Sequence, residues 1–133
     1  MPIGQNVERI RKIIDEELRE VLRRKTAVSG VIDSPAPNTN YYTDVIDLSE
    51  GGEWSLFVYT PDGGPLSIQI ELSDDGTEFK DLVGYAITTT NYVVGKWNSI
   101  SEHKFGFGLL RARISTGATA PTKIKWVFAY SPM

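Results

Sequence analysis

From residue 41 onward the apolar side chains recur at every second position, and this period constrains the fold more than any other feature. Leu66, Ile68, Ile70 and Leu72 alternate with Ser67, Gln69, Glu71 and Ser73. Leu110, Ala112 and Ile114 alternate with Arg111, Arg113 and Ser115, and Ile124, Trp126, Phe128 and Tyr130 alternate with Lys123 and Lys125. Successive side chains of a strand point to opposite faces, so the pattern describes antiparallel strands with one face in a core and the other in water. Further strands are expected at Tyr41–Leu48, Trp54–Thr60, Glu78–Leu82, Tyr85–Val94 and within Ser99–Phe107. Pro61-Asp62-Gly63-Gly64-Pro65 and Asp74-Asp75-Gly76-Thr77 punctuate them as tight turns, because glycine accepts positive φ and aspartate bonds its own backbone. Gly117 to Pro121 is expected to close a final hairpin. Seven or eight short strands at this spacing predict a mainly β fold, an antiparallel β-sandwich of jelly-roll type, over residues 41–133.

The first 25 residues have a different texture. They contain one of the twelve glycines, none of the fourteen aromatic residues, and seven basic side chains against five acidic ones. Val7, Ile10, Ile14, Leu18, Val21 and Leu22 recur at steps of three and four, which places them on one stripe of an amphipathic helix. Asn6 suits the N-cap, and Arg23-Arg24-Lys25 suits the negative end of the helix dipole. Ile13 lies off the stripe and Glu17 takes a position a strict heptad would make apolar, so the coiled-coil assignment stays open. An isolated helix of this length is marginal in water, so the stripe is expected to bind something: the β domain, sister copies, or another protein. Residues 26–40 read as a short strand or linker (Thr26–Ile32) followed by a loop containing Pro35 and Pro37.

Composition narrows the functions. There is no cysteine, which excludes disulfides, thiolate metal sites and a cysteine nucleophile; the single histidine, His103, excludes a multi-histidine metal centre. A net charge of −3 argues against a protein that envelops nucleic acid. No signal peptide is visible at the N-terminus, and no apolar run approaches the ~18 residues of a membrane span.

No constellation points clearly to chemistry. His103 sits in the polar stretch Ser101-Glu102-His103-Lys104, and the chain has no Gly-x-Ser-x-Gly elbow to supply an activated serine. Asp74, Asp75 and Glu78 could gather around calcium, but their spacing is not that of an EF-hand and a hairpin turn accounts for each. Gly51-Gly52 and Gly63-Gly64 lack the lysine and following helix of a phosphate loop. Trp54 and Trp126 fall inside alternating strands and are expected to fill the core. Trp97, near a turn, is the candidate ligand aromatic, with Tyr41, Tyr42 or Tyr92 as companions on a sugar platform. If the last two strands pair, Arg111, Arg113, Lys123 and Lys125 form a basic stripe that could dock on an acidic protein surface.

The segment Leu66–Leu82, in which a strand ends in Ser73-Asp74-Asp75-Gly76 before Phe79 and Asp81, resembles small virion proteins of tailed bacteriophages. Leu110–Thr116 and Thr122–Tyr130 resemble the final strands of such sandwiches, and the likeness extends over residues 41–130. The resemblance implies a non-enzymatic structural part of the virion, such as a capsid decoration, neck, or tail and baseplate component. The expected partners are copies of the chain itself, a trimer above other states, and other virion proteins. No cofactor, nucleic acid or membrane is expected. A carbohydrate-binding or receptor-recognition module is the alternative.

Overall fold

The structure, a computed structural model, describes residues 26–102 and 108–132. Nine strands follow in order: β1 (Thr26–Asp33), β2 (Asn40–Tyr42), β3 (Ile46–Asp47), β4 (Gly52–Tyr59), β5 (Ser67–Ser73), β6 (Lys80–Ile87), β7 (Asn98–Glu102), β8 (Leu109–Ser115) and β9 (Lys123–Pro132). They form a front sheet of order β1-β9-β4-β7 and a back sheet of order β2-β8-β5-β6, with β3 also on β8. Treated as one interrupted strand, β2 and β3 make the pairing nested. The first strand pairs with the last, the second with the second-last, and so inward to the β5–β6 hairpin. That is the connectivity of a jelly roll, and every pair is antiparallel.

The alternating residues fill the space between the sheets. Trp54, Leu56 and Val58 of β4 and Ile124, Trp126 and Phe128 of β9 face Ile68, Ile70, Leu110, Ala112 and Ile114 of the back sheet, all buried. Trp54 meets Phe128 edge to face with ring centroids 5.9 Å apart. Trp54 and Trp126 therefore fill the core, as the alternation predicts. Each large aliphatic side chain removed from water in this way contributes about 1.5–3 kcal/mol.

The strand boundaries differ from expectation in three places. Thr43 breaks Tyr41–Leu48 into β2 and β3: its backbone N–H bonds Ala112 O, while its hydroxyl accepts the Ala112 N–H at 2.8 Å in place of a ladder carbonyl. One extra residue is thereby accommodated between the Tyr42–Arg113 and Ile46–Leu110 pairs. Conversely, Glu78–Leu82 and Tyr85–Val94 do not form two strands. They contribute one, β6, which carries a bulge where Gly84 has φ of 91°. The Gln69 side-chain amide donates to the carbonyls of Ile70, Leu82 and Tyr85, so the bulge leaves those carbonyls bonded.

The third difference is topological. Gly117–Pro121 does not close a hairpin, because β8 lies in the back sheet and β9 in the front. The connection instead crosses one end of the sandwich, where it is fastened to its neighbours. Thr116 Oγ1 donates to Ala36 O and accepts from Thr39 N, and Asp62 Oδ1 accepts from both Thr122 N and Thr122 Oγ1. A Cβ on Gly63 would stand 2.3 Å from Pro121 Cα, and one on Gly64 would stand 2.4 Å from Thr119 O, so only glycine permits these two loops to touch. Thr26–Asp33 is paired with β9 along its whole length. The expected N-terminal helix lies in residues 1–25, outside the described residues.

The hydrogen bonds from Thr122 hold Asp62 below its ordinary carboxylate pKa, first through the side chain and then the backbone. A carboxyl whose pKa is lowered by folding adds stability above its unfolded value and loses it as pH falls toward the folded one. The stability of the Asp62→Asn variant will therefore fall less than the parent's as pH drops below about 4. Urea midpoints at pH 7 and pH 3 measure the difference; equal losses in both proteins would refute a role for this carboxylate.

Candidate functional site

The two outer faces of the sandwich are built differently. On the back sheet, Glu71 of β5 is 4% exposed although it faces outward. Its Oε1 accepts Arg111 Nε at 2.7 Å and its Oε2 accepts Arg113 Nη1 at 2.7 Å; Arg113 also reaches Asp81 Oδ1 at 3.1 Å. The Arg111 guanidinium lies between two rings, 4.3 Å from the Tyr42 centroid and 4.0 Å from that of Phe79. The Asp81 hydrogen bond raises the Arg113 pKa further. Two arginines and two acids balance, so this face is a neutral, internally satisfied network.

The expected basic stripe is therefore not assembled. Arg111 and Arg113 project from the back sheet, whereas Lys123 and Lys125 project from the front, with the core between them. Lys123 pairs with Asp33 across β1 and β9 at 3.7 Å. The physical reason is the crossing of residues 116–122 between sheets: equal parity along two successive strands gives a shared face only when both lie in one sheet.

The outer face of the front sheet carries the Asp33–Lys123 pair, Lys125 and Glu53, with apolar and hydroxyl side chains between them. Strand register places Val31, Lys125 and Tyr59 in one row, and Trp97 follows one position beyond the Val58–Asn98 pair. The row beside it is Ser29, Val127, Phe57 and Ser99. Trp97 is 52% exposed, Val31 54% and Phe57 37%. The Trp97 and Tyr59 rings lie 5.3 Å apart at 34°. Lys125 is exposed and has no acidic partner among the described residues. Two open clefts lie elsewhere: one of about 410 Å³ is lined by Leu72, Asp74, Lys80 and Gly108, the other by Thr26, Asp47, Glu50 and Pro132.

Trp97 is thus exposed as expected, but its companions are Tyr59 and Phe57. Tyr41 and Tyr42 belong to the back sheet and Tyr92 is buried. Phe57 and Tyr59 were legible in the alternation of Trp54–Thr60, which sends them opposite to Trp54, Leu56 and Val58. Of the acids weighed for calcium, Asp75 has a structural use: its Oδ1 accepts the N–H groups of Thr77 and Glu78 and the Ser73 hydroxyl, which lowers its pKa. Among the described residues no three His, Asp or Glu side chains gather around a common point. His103 and the stripe Val7, Ile10, Ile14, Leu18, Val21 and Leu22 lie outside the described residues.

No family model and no curated protein matches the chain. Among solved structures it is similar to a Bacillus endospore appendage protein, from a family of disulfide-linked pili, at 16% identity; the match covers 82% of this chain and 89% of that one, with a TM-score of 0.47. It is also similar to the K1 cleaved adhesin domain of Lys-gingipain from Porphyromonas gingivalis W83, at 12% identity over 84% and 92% of the chains, TM-score 0.48. A CBM4 structure aligns at 13% identity over 82% and 71%, TM-score 0.43.

Proposed function

We propose that the chain is a non-enzymatic module that works by binding, a structural component of a tailed-bacteriophage virion of the decoration, neck or tail kind. The observation that carries this reading is the two-ended layout of the sandwich. The chain enters at Thr26, opposite Tyr130, and β9 ends at Pro132 on the same end. The loops 34–39, 60–66 and 116–122 are fastened together at the opposite end. The segment whose sequence predicts an apolar stripe joins the body at the Thr26 end, away from the fastened loops. That is a suitable geometry for anchoring copies through the N-terminal segment and presenting the body. The acids Asp47, Asp62 and Asp75 are occupied in their own turns or loops, and Glu71 in its ion pairs.

The test is mass in solution. The parent chain is expected to be an oligomer, a trimer first, and Ile10→Asp with Ile14→Asp to be a monomer whose far-UV β signal is unchanged. A parent that is monomeric at all concentrations would overturn self-assembly.

A second reading, recognition of a glycan, is favoured by the exposure of Trp97 against Tyr59 on the front face. Aromatic rings stack on the C–H faces of sugars, and nothing in the core packing needs Trp97 outside.

A further inference from the structure

We propose that the front face binds an acidic glycan, with a pyranose ring stacked on Trp97 and a neighbouring sugar's carboxylate paired with Lys125. This rests on the glycan reading and is independent of the virion setting. Tyr59 and Lys125 sit on neighbouring strands, and Trp97 continues their row one residue before β7, so Trp97 and Lys125 are two strand spacings apart, about 10 Å. That reach suits a disaccharide lying across the sheet.

Three observations select the occupant. First, Trp97 is held from one side by Tyr59, which fixes its orientation and leaves half its surface to solvent. Second, hydroxyls stand at both ends of the adjacent row, Ser99 beside Phe57 on β7 and Ser29 beside Val127 on β1. Third, the row neighbours of Lys125 are Val31 and Tyr59, which cannot neutralise it, and Asp33 in the next row of this face is paired with Lys123. Lys125 has no ion-pair partner among the described residues, and such a cation is complementary to a single anionic group.

The experiment titrates the full chain with tetragalacturonate and with its methyl ester, the same sugar without the charge, by tryptophan fluorescence and calorimetry. The parent is expected to bind both and to prefer the acid by up to about fivefold, a preference that fades in high salt. Trp97→Ala will weaken both by about tenfold, and Trp97→Phe will recover part of the loss. Lys125→Gln will abolish the preference and leave ester binding intact. Binding of neither sugar, or full binding by Trp97→Ala, would overturn the glycan reading itself. Binding of both with equal affinity in parent and Lys125→Gln would overturn only the acidic specificity. Trp97 is exposed on a loop, so unchanged thermal unfolding of its variants separates lost binding from lost folding.

Discussion

Gly30→Val will destabilise the sandwich by about 3 kcal/mol, enough to lower the unfolding midpoint by roughly 10 °C in a domain of this size. Gly30 lies in the middle of β1 and its φ is not positive, so no special backbone conformation requires glycine there. The requirement is steric. A Cβ at this position would stand 2.6 Å from three atoms of the Trp126 indole, which lies across the strand as its register partner. Trp126 is 5% exposed and packed into the core, so the ring cannot swing away without opening a void. Gly30→Ala should show the same effect at smaller amplitude. Trp126→Leu in the Gly30→Val background should recover part of the loss, which a double-mutant cycle reads as coupling between neighbours. A midpoint unchanged by Gly30→Val would show that the indole does not cover this residue.

Glu71→Gln is the second large effect, a loss of about 2–3 kcal/mol. Removing one partner of a buried ion pair costs about 3–5 kcal/mol because the remaining charge is left uncompensated. Here the partners temper the figure, since the Arg111 and Arg113 side chains are 27% and 28% exposed and water screens them. The loss remains large because one carboxylate serves two guanidinium groups. Without it, Arg111 keeps its Tyr42 and Phe79 rings but no anion, and Arg113 keeps only Asp81. Chemical denaturation at neutral pH measures the change. Because Glu71 faces away from Trp97 across the core, the same variant should retain the parent's glycan affinity. A stability change below about 0.5 kcal/mol would place the network among ordinary surface ion pairs.

Several elements were readable from local pattern. The period of two sends Leu56, Ile68, Ile70, Leu110 and Phe128 inward, and they are all buried. Trp54 and Trp126 follow the same parity into the core, and the Asp74–Thr77 turn forms through Asp75 and Ser73 as its residue types require. Strand ends were less legible. The break at Thr43 depends on its hydroxyl meeting Ala112 N, a partner 69 residues away. The fusion of two expected strands into β6 depends on Gln69 reaching carbonyls 13 and 16 residues on. Neither contact leaves a mark in the local pattern.

The candidate site divides along the same line. Exposure of Trp97 and the outward parity of Phe57 and Tyr59 follow from position within a segment. That these three share a surface with Lys125, while Arg111 and Arg113 do not, is a matter of which sheet each strand joins. Two strands separated by a seven-residue connection can return in one sheet or cross to the other, and alternation reads the same in both cases. The crossing is set by long-range contacts: Asp62 on Thr122, Thr116 on Ala36, and the Gly63–Gly64 turn against Pro121. Side-chain parity is a property of each strand's backbone geometry, so the amino-acid order alone determined which residues are core. Strand pairing is a property of contacts between distant segments, so only the tertiary structure decided which surface residues stand together.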